Sequence, residues 1–153
     1  MKHSKSGLFL MEMIVCILFF SLSAAVSAQM FAKSHVISQA AINENHAVIE
    51  VNNLAEAFYS EHGDIEAISE KFYDGNTLLS SHILGVYFDK DFNPVGPSEY
   101  DAHFEAQLDV KDSETEGMKD GTITFYEFKE GGAEPVYSLD VTVNVPHTVP
   151  SDF

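Results

Sequence analysis

Glu12 is the residue whose type and position most need a chemical explanation. It is the only charged residue in the apolar run from Leu8 to Ala32, and a charge-free stretch of 20 residues, Met13 to Ala32, follows it. A carboxylate at the centre of a bilayer costs about 2.5 to 3.5 kcal/mol, which disfavours it there without a partner. Opposite charges attract strongly in a medium of low dielectric when they meet. Glu12 therefore predicts a cationic partner in the same membrane layer.

The other reactive residue types form no catalytic pattern. Cys16 is the only cysteine and lies in the apolar run, so a single chain can build neither an internal disulfide nor a cysteine-based zinc site. The seven histidines are scattered without an HExxH motif, and no nucleophile motif surrounds any serine or threonine. We predict that the protein is not an enzyme.

The segment Asp89 to Asn93 resembles the start of a calcium loop of the EF-hand type. Pro94 stands where that loop needs glycine, and Tyr100 stands where it needs a bidentate glutamate. We interpret the segment as a turn rich in Asp and Asn.

Length and charge narrow the classes of protein further. The chain has 153 residues, of which 45% are hydrophobic, and this suffices for one membrane segment and one small domain. Eight lysines, no arginine and 24 acidic residues give a net charge of −16. Such a balance repels phosphate backbones, so no direct binding of nucleic acid is expected.

The apolar run has the length of a membrane-spanning helix. At about 1.5 Å per residue, about 20 residues cross a bilayer core of about 30 Å. Lys2 and Lys5 precede the run and predict a cytoplasmic N-terminus, which makes everything after Ala32 extracytoplasmic. That outer part contains six lysines and 23 acidic residues and has a net charge of −17. We expect a single-pass protein of the cytoplasmic membrane with an acidic outer domain.

Two ordinary explanations of this N-terminus compete with a third. A secretory signal peptide would be cleaved at the small residues Val26-Ser27-Ala28, before Gln29, but it gains nothing from Glu12. A lipoprotein anchor at Cys16 fits less well, because a small residue is expected where Val15 stands.

The third explanation accounts for the leader and the glutamate together. A short leader with two lysines ends in Gly7, and Leu8-Phe9-Leu10-Met11-Glu12 and a long apolar helix follow. This arrangement resembles the class III signal of type IV pilins and type II secretion pseudopilins over residues 1 to about 60. The family most often begins its mature chain with Phe, and Leu is tolerated at that position.

The resemblance implies a processing route and a set of partners. A prepilin peptidase would cut between Gly7 and Leu8 and methylate the new terminus at Leu8, and Glu12 would be the assembly glutamate. The implied partners are this peptidase, identical or homologous pilin subunits, the membrane and an assembly platform protein. After assembly the chain would lie in a cell surface filament, whether a pilus, a type II secretion pseudopilus or a competence filament.

The resemblance also bears on cofactors and on the remaining alternative. Some pseudopilin heads bind calcium through carboxylates, so the Asp89 turn or the acidic loop from Lys111 to Gly117 is a weak calcium candidate; no other cofactor or metal is expected. The competing function is a secreted or membrane-tethered acidic binding domain that does not polymerise.

One long helix is predicted from Leu8 to His62, because this stretch contains neither Gly nor Pro and Gly63-Asp64 follows it. Its second half is amphipathic. The apolar positions at spacings of three to four residues are Ile37, Ala40, Ala41, Ala47, Val48, Val51, Leu54, Ala55 and Phe58.

The remaining residues predict a small α+β head. A short helix is expected from Asp64 to Phe72, and a turn at Glu130 to Ala133 is expected to join the last two strands. The expected strands are Ile83 to Phe88, Phe92 to Val95, Ala102 to Val110, Thr122 to Phe128 and Val136 to Val145. Short loops between them predict an antiparallel sheet with one face on the helix.

The predicted fold class is thus α+β, with a long helix packed against a small antiparallel sheet as in the lollipop-shaped pilins. The predicted segments are a leader (1–7), a transmembrane half-helix (8–32), an amphipathic half-helix (33–62) and a globular head (63–153).

Overall fold

The computed structural model describes residues 4–98 and 101–146, with side chains from residue 6 onwards. Its first element is helix α1, Ser4–Ser60, which runs for 57 residues. The long helix predicted from the absence of Gly and Pro is confirmed, although it begins within the leader. The chain divides into two compact units, with the boundary between Ile42 and Asn43.

Helix α1 ends in a left-handed turn. The N–H of Glu61 donates to the carbonyl of Ala57 and the N–H of Gly63 to that of Phe58, each at 3.0 Å. His62 (φ 53°) and Gly63 (φ 76°) both lie in the left-handed region. Such a cap is typical of a helix that ends before glycine.

Helix α2, Ile65–Tyr73, confirms the predicted short helix and its cap. The side chain of Asp64 accepts from the N–H groups of Glu66 and Ala67 at 3.0 and 3.2 Å. Asp74, at φ 51°, ends the helix. The first turn of α2 is thus satisfied by a side chain, as is usual for an Asp N-cap.

Six strands form one antiparallel sheet, in the order β1-β2-β4-β5-β6, with β3 paired to β2. Their bounds are β1 Leu78–Leu79, β2 Ile83–Phe88, β3 Pro94–Val95, β4 Phe104–Asp112, β5 Met118–Lys129 and β6 Gly132–Asn144. The predicted antiparallel sheet is confirmed. Strand β1 was not predicted, because two leucines present no alternating pattern.

The last hairpin differs from the prediction at both ends: β5 is longer in both directions, while β6 begins four residues earlier and ends one residue earlier. Strand β5 continues to Lys129 and β6 begins at Gly132, so the turn contains only Glu130 and Gly131. A register shift between Phe125 and Tyr126 interrupts the pairing of the two strands. Because Phe125 pairs with Tyr137 and Tyr126 pairs with Pro135, the extra residue of this β-bulge is Val136 in β6.

The core lies between one face of the sheet and the second part of α1. Its fully buried large side chains include Phe58, Phe125, Leu54, Ile68, Leu84 and Leu108. In β4, the predicted inward face of Phe104, Ala106, Leu108 and Val110 is confirmed by burial of all four side chains.

The head covers only part of the apolar stripe of α1. The buried helix residues lie between Ala47 and Phe58, while Ile37, Ala40 and Ala41 are exposed. Spacing alone marks both groups as apolar, but the position of the sheet decides which helical turns are covered. The amphipathic half-helix 33–62 stays a prediction, and within it the sheet buries residues only from Ala47 onwards.

Candidate functional site

Helix α1 places the three predicted processing and assembly residues within two turns. Gly7 lies inside the helix and is its only glycine. Leu8 is 73% exposed, and Glu12 is exposed one turn further on. Residues four apart share one face of a helix and are separated by about 6 Å along its axis. Backbone geometry thus presents Leu8 and Glu12 on the same side.

Around Gly7 the helix leaves open space. A methyl group added at this position would meet no atom within 4 Å. Glycine is also less favourable in a helix than alanine by about 1 kcal/mol, which makes this the weakest point of α1 by intrinsic propensity. A side chain at Gly7 would therefore begin in open space, in the helical turn of α1 with the weakest intrinsic propensity.

The apolar run of α1 is uncovered by the described chain. Large side chains from Leu8 to Phe31 are between 45% and 79% exposed. By length and composition this helix can cross a membrane. Exposed apolar surface of this extent is typical of membrane or protein contacts.

Three serines in the apolar run satisfy their own hydroxyl groups. Ser21, Ser23 and Ser27 each donate to the carbonyl four residues earlier, at 2.8 to 2.9 Å. Hydroxyl groups bonded in this way can enter hydrocarbon without an unmatched donor. Glu12 remains as the one charged side chain of the run.

The Asp89 turn uses its carboxylate to hold itself together. Oδ1 of Asp89 accepts from the N–H groups of Asp91 and Asn93 at 2.8 and 2.9 Å, and Oδ2 accepts from Nδ2 of Asn93 at 3.0 Å. The hydrogen bonds from Asn93 and Asp91 hold the pKa of Asp89 below its usual value. Oxygen atoms that a calcium ion would need are engaged with the turn, and Tyr100 lies outside the described residues.

The acidic loop after β4 is shorter than the predicted range, and the hydrogen-bonded carboxylate of Asp120 lies outside it in β5. Strand β4 extends to Asp112, so the loop proper runs from Ser113 to Gly117. Hydrogen bonds from Thr142 and Ser113 lower the pKa of Asp120 at the start of β5. Across residues 4–98 and 101–146, no three His, Cys, Asp or Glu side chains come close enough to hold a metal ion.

A cleft of about 610 Å³ opens beside the start of α2, and most of its charged groups are engaged. Nζ of Lys119 donates to the carbonyl of Gly63 at 3.2 Å. Nζ of Lys111 lies 3.1 Å from Oδ2 of Asp109. The Asp64 carboxylate caps α2. The Glu66 and Asp112 carboxylates also line the cleft, and neither has a lysine or histidine nitrogen within 4 Å among the described residues.

Sequence reasoning missed a polar and aromatic row on the outer face of the sheet. Tyr87 of β2 is paired with Glu105 of β4, which is paired with Tyr126 of β5. Burial raises the pKa of the Glu105 carboxyl, although a hydrogen bond with Tyr87 opposes this shift. Burial and the adjacent charge of Glu105 raise the pKa of Tyr87 to about 12.

Alternation in β4 assigns Glu105 to the polar face, but only the register between strands brings it between two tyrosines. That register could not be read from β4 alone.

Comparisons with protein-family models, curated proteins and solved structures find no match for this chain. Function must therefore be argued from these residues and their positions.

Proposed function

We propose that this chain is a structural, non-enzymatic subunit of a type IV pilus or pseudopilus-like filament. Prepilin peptidase would remove residues 1–7 and methylate Leu8, and the mature chain would polymerise through its N-terminal helix. The observation that carries the proposal is Glu12, a lone carboxylate one helical turn after Leu8 on an uncovered apolar helix. A plain membrane anchor has no use for that residue.

The chemistry of the proposed cleavage supplies the missing cation. Hydrolysis after Gly7 leaves an ammonium group at Leu8, in the same layer as the Glu12 carboxylate. When a second subunit is offset along the filament axis, its Glu12 can pair with the Leu8 ammonium of its neighbour. This pairing neutralises two charges in a low dielectric and specifies the axial register. The carboxylate thus serves as a docking group between subunits.

The rest of the chain suits the same role. Residues 33–153 carry a net charge of −17, which keeps the head in water while α1 remains in an apolar environment. Burial of Ala47 to Phe58 against the sheet attaches the head to the same helix that would form the filament core. The proposed partners are other subunits, the peptidase, the membrane and an assembly platform protein.

The mature N-terminus tests the proposal directly. Intact mass measurement and terminal sequencing are applied to protein taken from its native membrane or cell surface. We expect a chain that begins with N-methylated Leu8. A chain that begins at Gln29 would indicate a signal peptide and an exported acidic binding domain, and an intact Met1 would indicate a simple anchor. Either of these results would overturn the filament proposal.

A further inference from the structure

The outer face of the sheet has a row in which an acidic side chain lies between two aromatic ones. Tyr87, Glu105 and Tyr126 are directly opposite one another on adjacent strands. Their neighbours along each strand, such as Val86, Ala106 and Phe125, point into the core, so these three point away from it. Directly opposed residues have Cβ atoms about 4.5 to 5.5 Å apart.

The absence of a side chain at Gly85 leaves room for the carboxylate of Glu105 above the sheet. A methyl group at Gly85 would lie 2.9 Å from Oε1 of Glu105 and 3.4 Å from the hydroxyl oxygen of Tyr87. Both groups therefore occupy the space above the glycine backbone, and Glu105 is half-buried, as are Tyr87 and Tyr126 on either side of it. No Lys or His nitrogen lies within 4 Å of this carboxylate in the described part of the chain.

A carboxylate that has lost part of its water without gaining a cation is unfavourable within one molecule. Groups with this kind of environment are concentrated at binding sites. The raised pKa of Glu105 agrees with the geometry, since burial is its first cause.

The lysines of the head are nearly all engaged within their own chain. Lys71 pairs with Glu61, Lys111 with Asp109, and Lys129 with both Glu127 and Glu134, while Lys119 donates to a backbone carbonyl. Lys90 is different. It is exposed in the turn between β2 and β3, and within described residues 43–98 and 101–146 no carboxylate lies within 4 Å of its ammonium.

We propose that the row of Tyr87, Glu105 and Tyr126 binds the Lys90 side chain of a second copy of this chain. A lysine side chain suits the row because its methylene stem can lie along tyrosine rings while its ammonium meets the carboxylate. The choice of a second copy follows from charge. Each head has a large excess of acid, and among its described residues Lys90 is an exposed lysine without an ion-pair partner. The inference rests on the proposed function, because it adds a contact between the heads of filament subunits.

Charge reversal tests the contact in cells that assemble the wild-type chain. Lys90→Glu and Glu105→Lys are each expected to lower the amount of filament about tenfold, because each places like charges together. The double variant is expected to recover most of the loss. Lys90→Glu combined with Asp140→Lys is the matched control, since Asp140 is an exposed carboxylate elsewhere on the sheet. The amount of filament from this control should stay as low as that from Lys90→Glu alone.

Two further measurements keep the test independent of folding. Glu105→Gln preserves the shape of the side chain, and we expect it to reduce filament yield with unchanged helix and strand content by circular dichroism. In addition, wild-type filaments grown from a mixture of ¹⁵N-labelled and unlabelled copies are treated with a carbodiimide, which joins a contacting amine and carboxylate as an amide with loss of water. Mass spectrometry should detect a Lys90–Glu105 peptide pair that contains both isotopes.

The outcomes separate this inference from the proposed function. Absence of filaments from the wild-type chain would overturn both. If the wild-type chain forms filaments but the Lys90→Glu, Glu105→Lys double variant does not recover filament yield, the head contact alone would be overturned. A Lys90–Glu105 cross-link whose two peptides always carry the same isotope would place the pair within a single copy and would also overturn the head contact. The absence of any Lys90–Glu105 cross-link would overturn it as well.

Discussion

Two glutamates, Glu12 on α1 and Glu105 on β4, each predict a different cationic partner. Glu12 lies on an apolar helix surface and Glu105 lies half-buried on the sheet. A carboxylate in either position gains stability when a cation reaches it, and loses little in the monomer when it is replaced by the neutral amide. Substitution to glutamine therefore separates assembly from folding at both positions.

Glu12→Gln is expected to leave cleavage after Gly7 intact and to reduce incorporation into filaments about tenfold or more. The reason is that removal of one partner from a buried charge pair costs about 2 to 5 kcal/mol. Quantitative immunoblotting of sheared filaments against membrane fractions measures the ratio. Glu44→Gln, an exposed glutamate of the same helix, is the control and should assemble normally. Normal filament yield from Glu12→Gln would contradict the pairing.

Gly7→Leu is expected to block processing and to leave a leader-bearing chain in the membrane. Because a methyl group at Gly7 would meet no atom within 4 Å, we expect the folded chain to accept a side chain there, so that lost cleavage reports on the peptidase. The mass of the membrane-bound chain distinguishes the precursor from the mature form. If the precursor polymerised as well as the wild type, the leader would not control assembly.

Glu105→Gln is expected to raise the thermal stability of the detergent-solubilised protein at pH 7. The pKa of Glu105 is raised by folding, so the folded state binds more protons than the unfolded state between the unfolded value of about 4.3 and the higher folded value. Ionisation of Glu105 therefore lowers the free energy of unfolding as the pH rises through that window. The glutamine side chain does not ionise, so the variant does not lose this stability.

The stabilisation should shrink as the pH is lowered to about 4, where the glutamate is largely protonated in both states. Melting temperatures of Glu105→Gln and wild type, recorded from pH 4 to pH 7, check this trend. Glu130→Gln, in the exposed turn after β5, measures the effect of removing one charge from the head. An equal change for both variants at every pH would contradict the role of burial.

At the scale of elements, the packing of α1 on the sheet depends on one small residue. A methyl group at Gly121 of β5 would lie 3.1 Å from Cδ1 of Leu108, 3.1 Å from Cγ2 of Val141 and 3.2 Å from Cε2 of Phe58. Phe58 is fully buried at this point. The absent side chain lets the helix approach the strand closely.

Gly121→Ala is expected to lower the free energy of unfolding by about 1 to 3 kcal/mol through overpacking. Chemical denaturation of the detergent-solubilised chain, followed by the signal of the sheet, measures the change. Gly131→Ala is the matched control, because a methyl group at Gly131 meets no atom within 4 Å and should change stability by less than about 0.5 kcal/mol. Equal effects of the two substitutions would contradict the close approach.

Local signals predicted the elements well where the physics is local. The Asp64 cap, the glycine-free helix and the alternation of β4 each depend on residues within a few positions of one another, and each prediction was confirmed. The exposure of the helical turn from Ile37 to Ala41 and the bulge opposite Phe125 depend on the position and pairing of strands that are distant in sequence. Such properties follow from the register of the sheet, which the sequence alone does not specify.

At the scale of the whole molecule, charge and hydrophobicity are separated along the chain. One helix can cross a membrane by length and composition, and the residues after Ala32 have a net charge of −17. This separation was read from composition alone. The Tyr87–Glu105–Tyr126 row could not be predicted in this way, because it joins residues of three strands that are distant in sequence.

Acidic heads arranged on a filament would repel one another, so we expect sheared filaments to be less stable at low ionic strength. The screening length grows from about 8 Å at 0.15 M salt to about 30 Å at 0.01 M. Sedimentation of filaments at the two salt concentrations measures the fraction that dissociates. Glucose added at equal osmolarity controls for osmotic effects, and equal sedimentation at both salt concentrations would contradict the role of repulsion.

The last strand has a consequence for solubility. Within the described chain, the 13 residues of β6 pair with β5 alone, which leaves a long row of backbone donors and acceptors at the edge of the sheet. An edge of this length is a template for aggregation, particularly where many heads are crowded together. Glu134, Pro135 and Asp140 lie on this strand, and the bulge beside them twists it. Charged residues, proline and bulges on an edge strand disfavour its pairing with another sheet, so we expect these features to limit aggregation through β6.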